Sequence, residues 1–117
     1  MNDTTDPERG PKELAVRMRN RTMSHWGLEP GTIVFGDPTL GRAAGYNRPV
    51  LARLLNAKGG DEGLVVMVLR LEDDGTEYLQ SDGDEGDNDH PYRHFALLAV
   101  CTKMQGPCTP VRRQPDA

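Results

Sequence analysis

Aromatic residues make up only 5% of this 117-residue chain, and hydrophobic residues of all kinds 36%. So little apolar material excludes a large core and leaves one small domain. No run approaches the roughly 18–20 apolar residues that a membrane-crossing helix needs, so no membrane partner is expected. Met1 to Gly10 is polar and acidic without an apolar stretch. A secretory signal is therefore not expected, and a cytoplasmic location is. Two cysteines, Cys101 and Cys108, do not make a disulfide framework. Ser24 and Ser81 are the only serines. Neither stands in a nucleophile-elbow context, which argues against a serine triad. Gly59-Gly60 lacks the Gly-Lys-Ser/Thr ending of a P-loop, and no dinucleotide fingerprint occurs, so no cofactor is expected.

What is abundant is turn chemistry and charge. Thirteen glycines and nine prolines punctuate the chain into short segments. The net charge is −4, yet residues 72–89 hold nine acids and no base, which leaves +5 on the remainder. The acidic total argues against a general nucleic-acid coat. It leaves room for a local basic face, and two arginine clusters qualify. Arg42, Arg48, Arg53 and Lys58 fall within seventeen acid-free residues, and Arg17, Arg19 and Arg21 form the second cluster.

Three regions are expected. Residues 1–28 read as a polar, disordered tail followed by a short helix over Pro11–Ser24, with Leu14 and Met18 four apart on one face. Trp26 is placed to cover one end of the core. Residues 29–105 change grammar to short β-type runs: Thr32–Phe35, Val50–Leu55, Leu64–Leu71, Thr76–Gln80 and Phe95–Met104. The last is ambiguous between helix and strand, and Leu97–Val100 favours strand. Leu64–Leu71, the longest apolar run, is expected at the sheet centre. Asp73-Asp74-Gly75 reads as a hairpin turn. Residues 106–117 form a proline-rich tail. Five short closely spaced strands point to a mainly β fold, a small, partly open β-barrel.

The loop at 81–89 reads as low-complexity, acidic and solvated. Asp82, Asp84 and Asp87 resemble the start of a calcium loop, but Gly86 and Asp87 break the ligand order and Arg93 stands where the bidentate Glu belongs. His90, His94, Cys101 and Cys108 could ligate zinc, yet Pro91 disfavours a helix between the histidines and six residues separate the cysteines. No metal site is expected.

The most specific stretch is Pro30 to Leu51. It runs Pro-Gly-Thr-Ile-Val-Phe-Gly-Asp-Pro-Thr-Leu-Gly, then six residues, then Arg48-Pro49-Val50-Leu51. This resembles the first two strands and connecting loop of the PemK/MazF-like toxins, endoribonucleases of toxin–antitoxin pairs. Asp37-Pro38-Thr39, Gly41 and Arg48-Pro49 fit the family pattern without a gap, and the resemblance extends over residues 30–71. It implies an SH3-like/PemK-like barrel, a homodimer, an antitoxin-like protein partner and metal-independent cleavage of single-stranded RNA. The family's loop arginine falls on Arg48, the candidate catalytic residue, with Arg42, Arg53 and Arg70 as candidate RNA-binding residues. Two family features are absent. Arg42, Ala43 and Ala44 stand where the loop usually carries an acid, and the third strand ends Leu69-Arg70-Leu71 without a Thr or Ser.

Cleavage of this kind needs a base for the 2′-hydroxyl proton and a cation for the phosphoryl oxygens. Arg48 suits the second role because a planar guanidinium pairs with phosphate. A structural alternative is that Arg48 pairs with Asp37 and holds the loop. Two readings of the whole chain therefore stand side by side. One is the toxin-like ribonuclease. The other is a non-catalytic small β-barrel that binds a protein partner, as an accessory subunit or phage-type adaptor, within a larger assembly.

Overall fold

The computed structural model describes residues 13–106, and the expectations for both tails lie largely outside them. Within them the chain is mainly β. Six strands, β1 (Leu14–Arg17), β2 (Ile33–Asp37), β3 (Arg48–Leu55), β4 (Asp61–Leu71), β5 (Glu77–Gln80) and β6 (Phe95–Gln105), form one sheet in the order β1-β2-β6-β3-β4-β5. Every neighbouring pair is antiparallel. The sheet curls around an apolar interior but is not closed into a barrel.

The expected N-terminal helix is replaced by a strand. Leu14–Arg17 pairs with Gly36–Ile33, residue for residue. A spacing of four serves a helix turn and two strand periods equally, so Leu14 and Met18 could not distinguish them. Val16 packs on the core and Met18 is buried, whereas Ala15 and Arg17 are exposed. That is the period of two. Among the described residues, the helical turns are short 3-10 segments at Ser24–Trp26 and Arg42–Ala44. Trp26 remains half-exposed at the mouth of a small groove with Leu28, Val34 and Met104.

Alternation along the middle strands sends side chains to two separate cores. Leu51 of β3, Val66 and Val68 of β4 and Ala99 of β6 join Val34, Met18, Met23 and Leu28 on the inner face. Val50, Ala52, Met67, Leu69, Leu79 and Val100 occupy the outer face, where Tyr46, Tyr92, Phe95 and Leu97 pack over them. Because both faces are buried, β3 and β6 occupy the sheet centre, and β4 is displaced one place towards the edge from its expected position. Bulges in β6 opposite Leu51/Ala52 and Phe35/Gly36 bend that long strand, as curling requires. The β4–β5 hairpin forms where expected, with the Glu72 N–H bonded to the Thr76 carbonyl at 2.8 Å.

The acidic loop is exposed over Asp84–Asp87 and at Asp89, as expected, but it is anchored at its start. Its Asp82 N–H donates to the Thr22 carbonyl (2.9 Å), and the His25 N–H donates to the Asp82 carbonyl (3.1 Å). The Trp26 indole donates to the Asp82 carboxylate at 2.9 Å. Arg21 bridges Glu29 and Asp84. Both ring nitrogens of His25 face carboxylates, Asp82 at 3.0 Å and Asp84 at 3.2 Å. Asn88 holds the loop's own turn, accepting from Ser81 and Gly83 and donating to the Gly83 carbonyl at 2.8 Å. Gly83 makes the docking possible, since a Cβ there would lie 2.1 Å from the Arg21 carbonyl oxygen. Acidity therefore has a use: nearby cations and N–H groups consume it.

Gly83→Ala is expected to cost about 1–3 kcal/mol, as overpacking against fixed backbone does, read from urea denaturation. The clamp is also pH-dependent. Hydrogen bonds to Asp82 and then Asp84 raise the His25 pKa above 6.5, and the Arg21 and His25 donors hold Asp84 below 3.8. The His25 contribution is complete below pH 6.5 and fades as pH rises through the raised value; that of Asp84 is present above 3.8 and fades as pH falls through its lowered value. Relative to His25→Gln, the wild type should lose stability as pH rises from 6.5 through the raised His25 pKa, and an NMR titration should place the His25 midpoint above 6.5.

Candidate active site

The segment Pro38–Asn47 connects β2 to β3 and lies over the outer face of the sheet. Asp37 starts it, accepting from both the Thr39 N–H (2.8 Å) and the Thr39 hydroxyl (2.5 Å). These donors hold the Asp37 carboxyl below its usual range. Asp-Pro-Thr is thus a self-contained turn, and Asp37 is spent on Thr39 rather than on Arg48. The loop then seats itself through Gly45, where a Cβ would come within 3.1 Å of Val100 Cγ2 and 3.2 Å of Val50 Cγ1. A methyl there would fit only if the Val50 and Val100 side chains gave way by a few tenths of an ångström. Asn47 ends the loop in the left-handed region (φ 63), and its N–H reaches the Leu69 carbonyl at 2.6 Å.

This seating brings an acid to the loop that its own sequence lacks. Glu77, the first residue of β5, lies opposite Leu71. Its carboxylate accepts from Arg42 Nη1 at 2.5 Å through one oxygen and from the Tyr46 hydroxyl at 2.6 Å through the other. The bond to Glu77 keeps the Tyr46 phenol protonated and raises its pKa above 10.0. Arg48 stands on the same face, opposite Leu69 of β4, with its guanidinium bonded to the Ala44 carbonyl at 3.4 Å. Its strand and that of Glu77 flank β4, two residues out of step, which sets their Cα atoms about 12 Å apart. Arg48 has no carboxylate partner among the described residues, so its charge is available to an anion.

The other two candidate arginines stand elsewhere. Arg53, five residues along β3 from Arg48 and alternating to the inner face, forms an ion pair with Asp61 at 3.0 Å. Arg70 shares the parity of Val66 and Val68. It donates to Gln80 and to Asn47, each at 3.1 Å. The four arginines named from sequence therefore divide into an outer pair, Arg42 and Arg48, and an inner pair, Arg53 and Arg70. Glu77 and Tyr46 stand in no local sequence motif. The hairpin turn carried the signal for Glu77, because it fixes which β5 residue lies beside the end of β4.

Cys101 is half-buried, and burial pushes its thiol up to about 12, so it is no nucleophile at neutral pH. Among the described residues, no three His, Cys, Asp or Glu side chains converge as a metal site. No described helix is long and apolar enough to cross a membrane. Compared with protein-family models, curated proteins and solved structures, the chain matches none.

Asn47 gives a local test of the loop geometry. Asn47→Ala should cost about 1–2 kcal/mol, the price of the left-handed conformation for a residue with a Cβ. Both variants lose the hydrogen bond that Asn47 Oδ1 accepts from Arg70, and Asn47→Gly in addition relieves the backbone. Thermal unfolding of the two variants separates these contributions.

Proposed function

We propose that this chain is a PemK/MazF-like endoribonuclease that cleaves single-stranded RNA without a metal, through Arg48 and Glu77. The single observation that carries the reading is the meeting of Glu77 with Arg42 and Tyr46 beside Arg48. It supplies a carboxylate to a loop that holds Arg42, Ala43 and Ala44 where the family usually has an acid. The curled, antiparallel sheet is compatible with an open form of the family's SH3-like barrel. The homodimer and the antitoxin-like partner belong to the same reading.

A carboxylate offers about four acceptor positions, so Glu77 can take a proton while still holding Arg42 and Tyr46. In the proposed step Glu77 removes the 2′-hydroxyl proton of the substrate ribose. The 2′-oxygen bonds to phosphorus, and the bond to the 5′-oxygen breaks. Arg48 stabilises the negative charge that gathers on the phosphoryl oxygens. The leaving 5′-oxygen takes a proton from water, giving a 2′,3′-cyclic phosphate and a 5′-hydroxyl end. Arg42 and Tyr46 are positioning residues that fix the carboxylate.

One observation favours the binding-module reading instead. The sheet stays open along one side, and Arg53 and Arg70 already have partners within the chain. A cleavage assay decides between the readings. Wild-type protein with EDTA should cut a long mixed-sequence RNA into discrete fragments. Arg48→Ala and Glu77→Gln should each reduce the rate by about 100-fold or more, with unfolding midpoints close to wild type. Intact RNA with folded wild-type protein, or undiminished cleavage by Arg48→Ala, would reject the ribonuclease.

A further inference from the structure

We infer that the open side of the sheet is a strand-acceptor site for a short extended segment of a partner protein, with alternating apolar and acidic side chains. This stands apart from the ribonuclease reading, because none of the residues of the proposed active site takes part in it.

Strand directions define the opening. All pairings are antiparallel, so β1, β6 and β4 run one way and β2, β3 and β5 the other. β1 and β4 are thus parallel to each other. Direct closure between them would break the antiparallel pattern, whereas one further strand running opposite to both would complete it. For Val68–Leu71 that strand is β5. Continued past Gln80, β5 would next face Met67 and Val66. It leaves instead, because the Asp82 N–H is bonded to the Thr22 carbonyl and Gly83 is packed against Arg21 and Ser24. Leu64–Met67 consequently has no strand on that side among the described residues.

The space between is a groove of about 470 Å³, lined by Ala15–Asn20 and Thr22 on one side and by Leu64–Met67 on the other. Among the described residues the walls offer two unpaired strand edges, that of β1 at Ala15–Arg17 and that of β4 at Leu64–Met67, the arrangement that accepts an added strand through main-chain hydrogen bonds, while Met18–Asn20 and Thr22 extend the first wall outside the strand. The walls also define what the added strand should carry. Val16, Met18 and Val66 contribute to the inner core, and Leu64 shares their face yet is 44% exposed, an apolar side chain without cover. Arg17 and Arg19 alternate with Val16 and Met18 and are exposed. The lining includes these two arginines and no acid. An inserted strand would therefore place apolar side chains inward and carboxylates outward, one residue apart.

The probe is an acetylated, amidated peptide of alternating glutamate and valine, about seven residues long, added to the full chain. Hydrogen exchange should show outward amides within Leu64–Met67 exchanging readily in the free protein and becoming protected with peptide. Binding should weaken about tenfold in Arg17→Glu/Arg19→Glu and with rising salt. N-methylation of alternate peptide bonds, which removes strand donors without changing side chains, should abolish it. Amides already protected in the free chain would mean that the chain itself or a second copy fills the groove, and would overturn the proposal. Absence of binding, or binding indifferent to N-methylation, would overturn it as well.

Discussion

The middle of this sheet is apolar on both faces, and the described chain has no long helix with which to cover the second. Curling buries the inner face, with Leu51, Val66, Val68 and Ala99 around Met18 and Met23. The outer face, built on Val50, Leu69, Leu79 and Val100, can be covered only by connecting segments. Loops carry polar backbone that must find partners, so a loop forced onto an apolar surface needs internal turns and a close seat. Asp37–Thr39 supplies the turn and Gly45 the seat. The proposed active site follows from that covering, since it carries Arg42 and Tyr46 over to Glu77 and leaves Arg48 beside them.

The same economy shapes the acidic segment. Nine acids within residues 72–89 would repel one another if left free. Asp82 and Asp84 instead meet His25, Trp26 and Arg21, Glu72 pairs with Arg93, and Glu77 joins Arg42. This consumption of charge has a topological cost, because it draws the chain away from β4 after Gln80. The open side of the sheet and the clamp are thus two results of one event, the docking of Gly83 against Arg21–Ser24.

How much of this was legible in the sequence differs by element. The strands at 50–55, 64–71 and 76–80 and the turn at 73–75 declared themselves through β-branched runs and turn residues, and Phe95–Gln105 proved a strand as Leu97–Val100 implied. The N-terminal strand did not, because Leu14 and Met18 satisfy either periodicity and only pairing with β2 selects one. The loop at 81–89 looked solvated because its composition is polar. Its docking depends on His25 and Arg21, 57 to 63 residues away in sequence, and on one glycine. At the site, Arg48 and the Asp-Pro-Thr turn were readable as local motifs. Glu77 was not, since nothing within its own strand distinguishes it from the other acids, and its role arises from hairpin register across β4.

The central claim is that Arg48 and Glu77 border one phosphodiester site on the loop-covered face. Mapping NMR shift changes on addition of a short RNA whose 2′-hydroxyls are replaced by hydrogen, so that it binds without being cut, tests it most directly. The account expects saturable changes concentrated at Arg42, Tyr46, Arg48 and Glu77, weakened by salt and lost in Arg48→Ala. Changes confined to Arg53 and Arg70, or none at all in the folded protein, would contradict it.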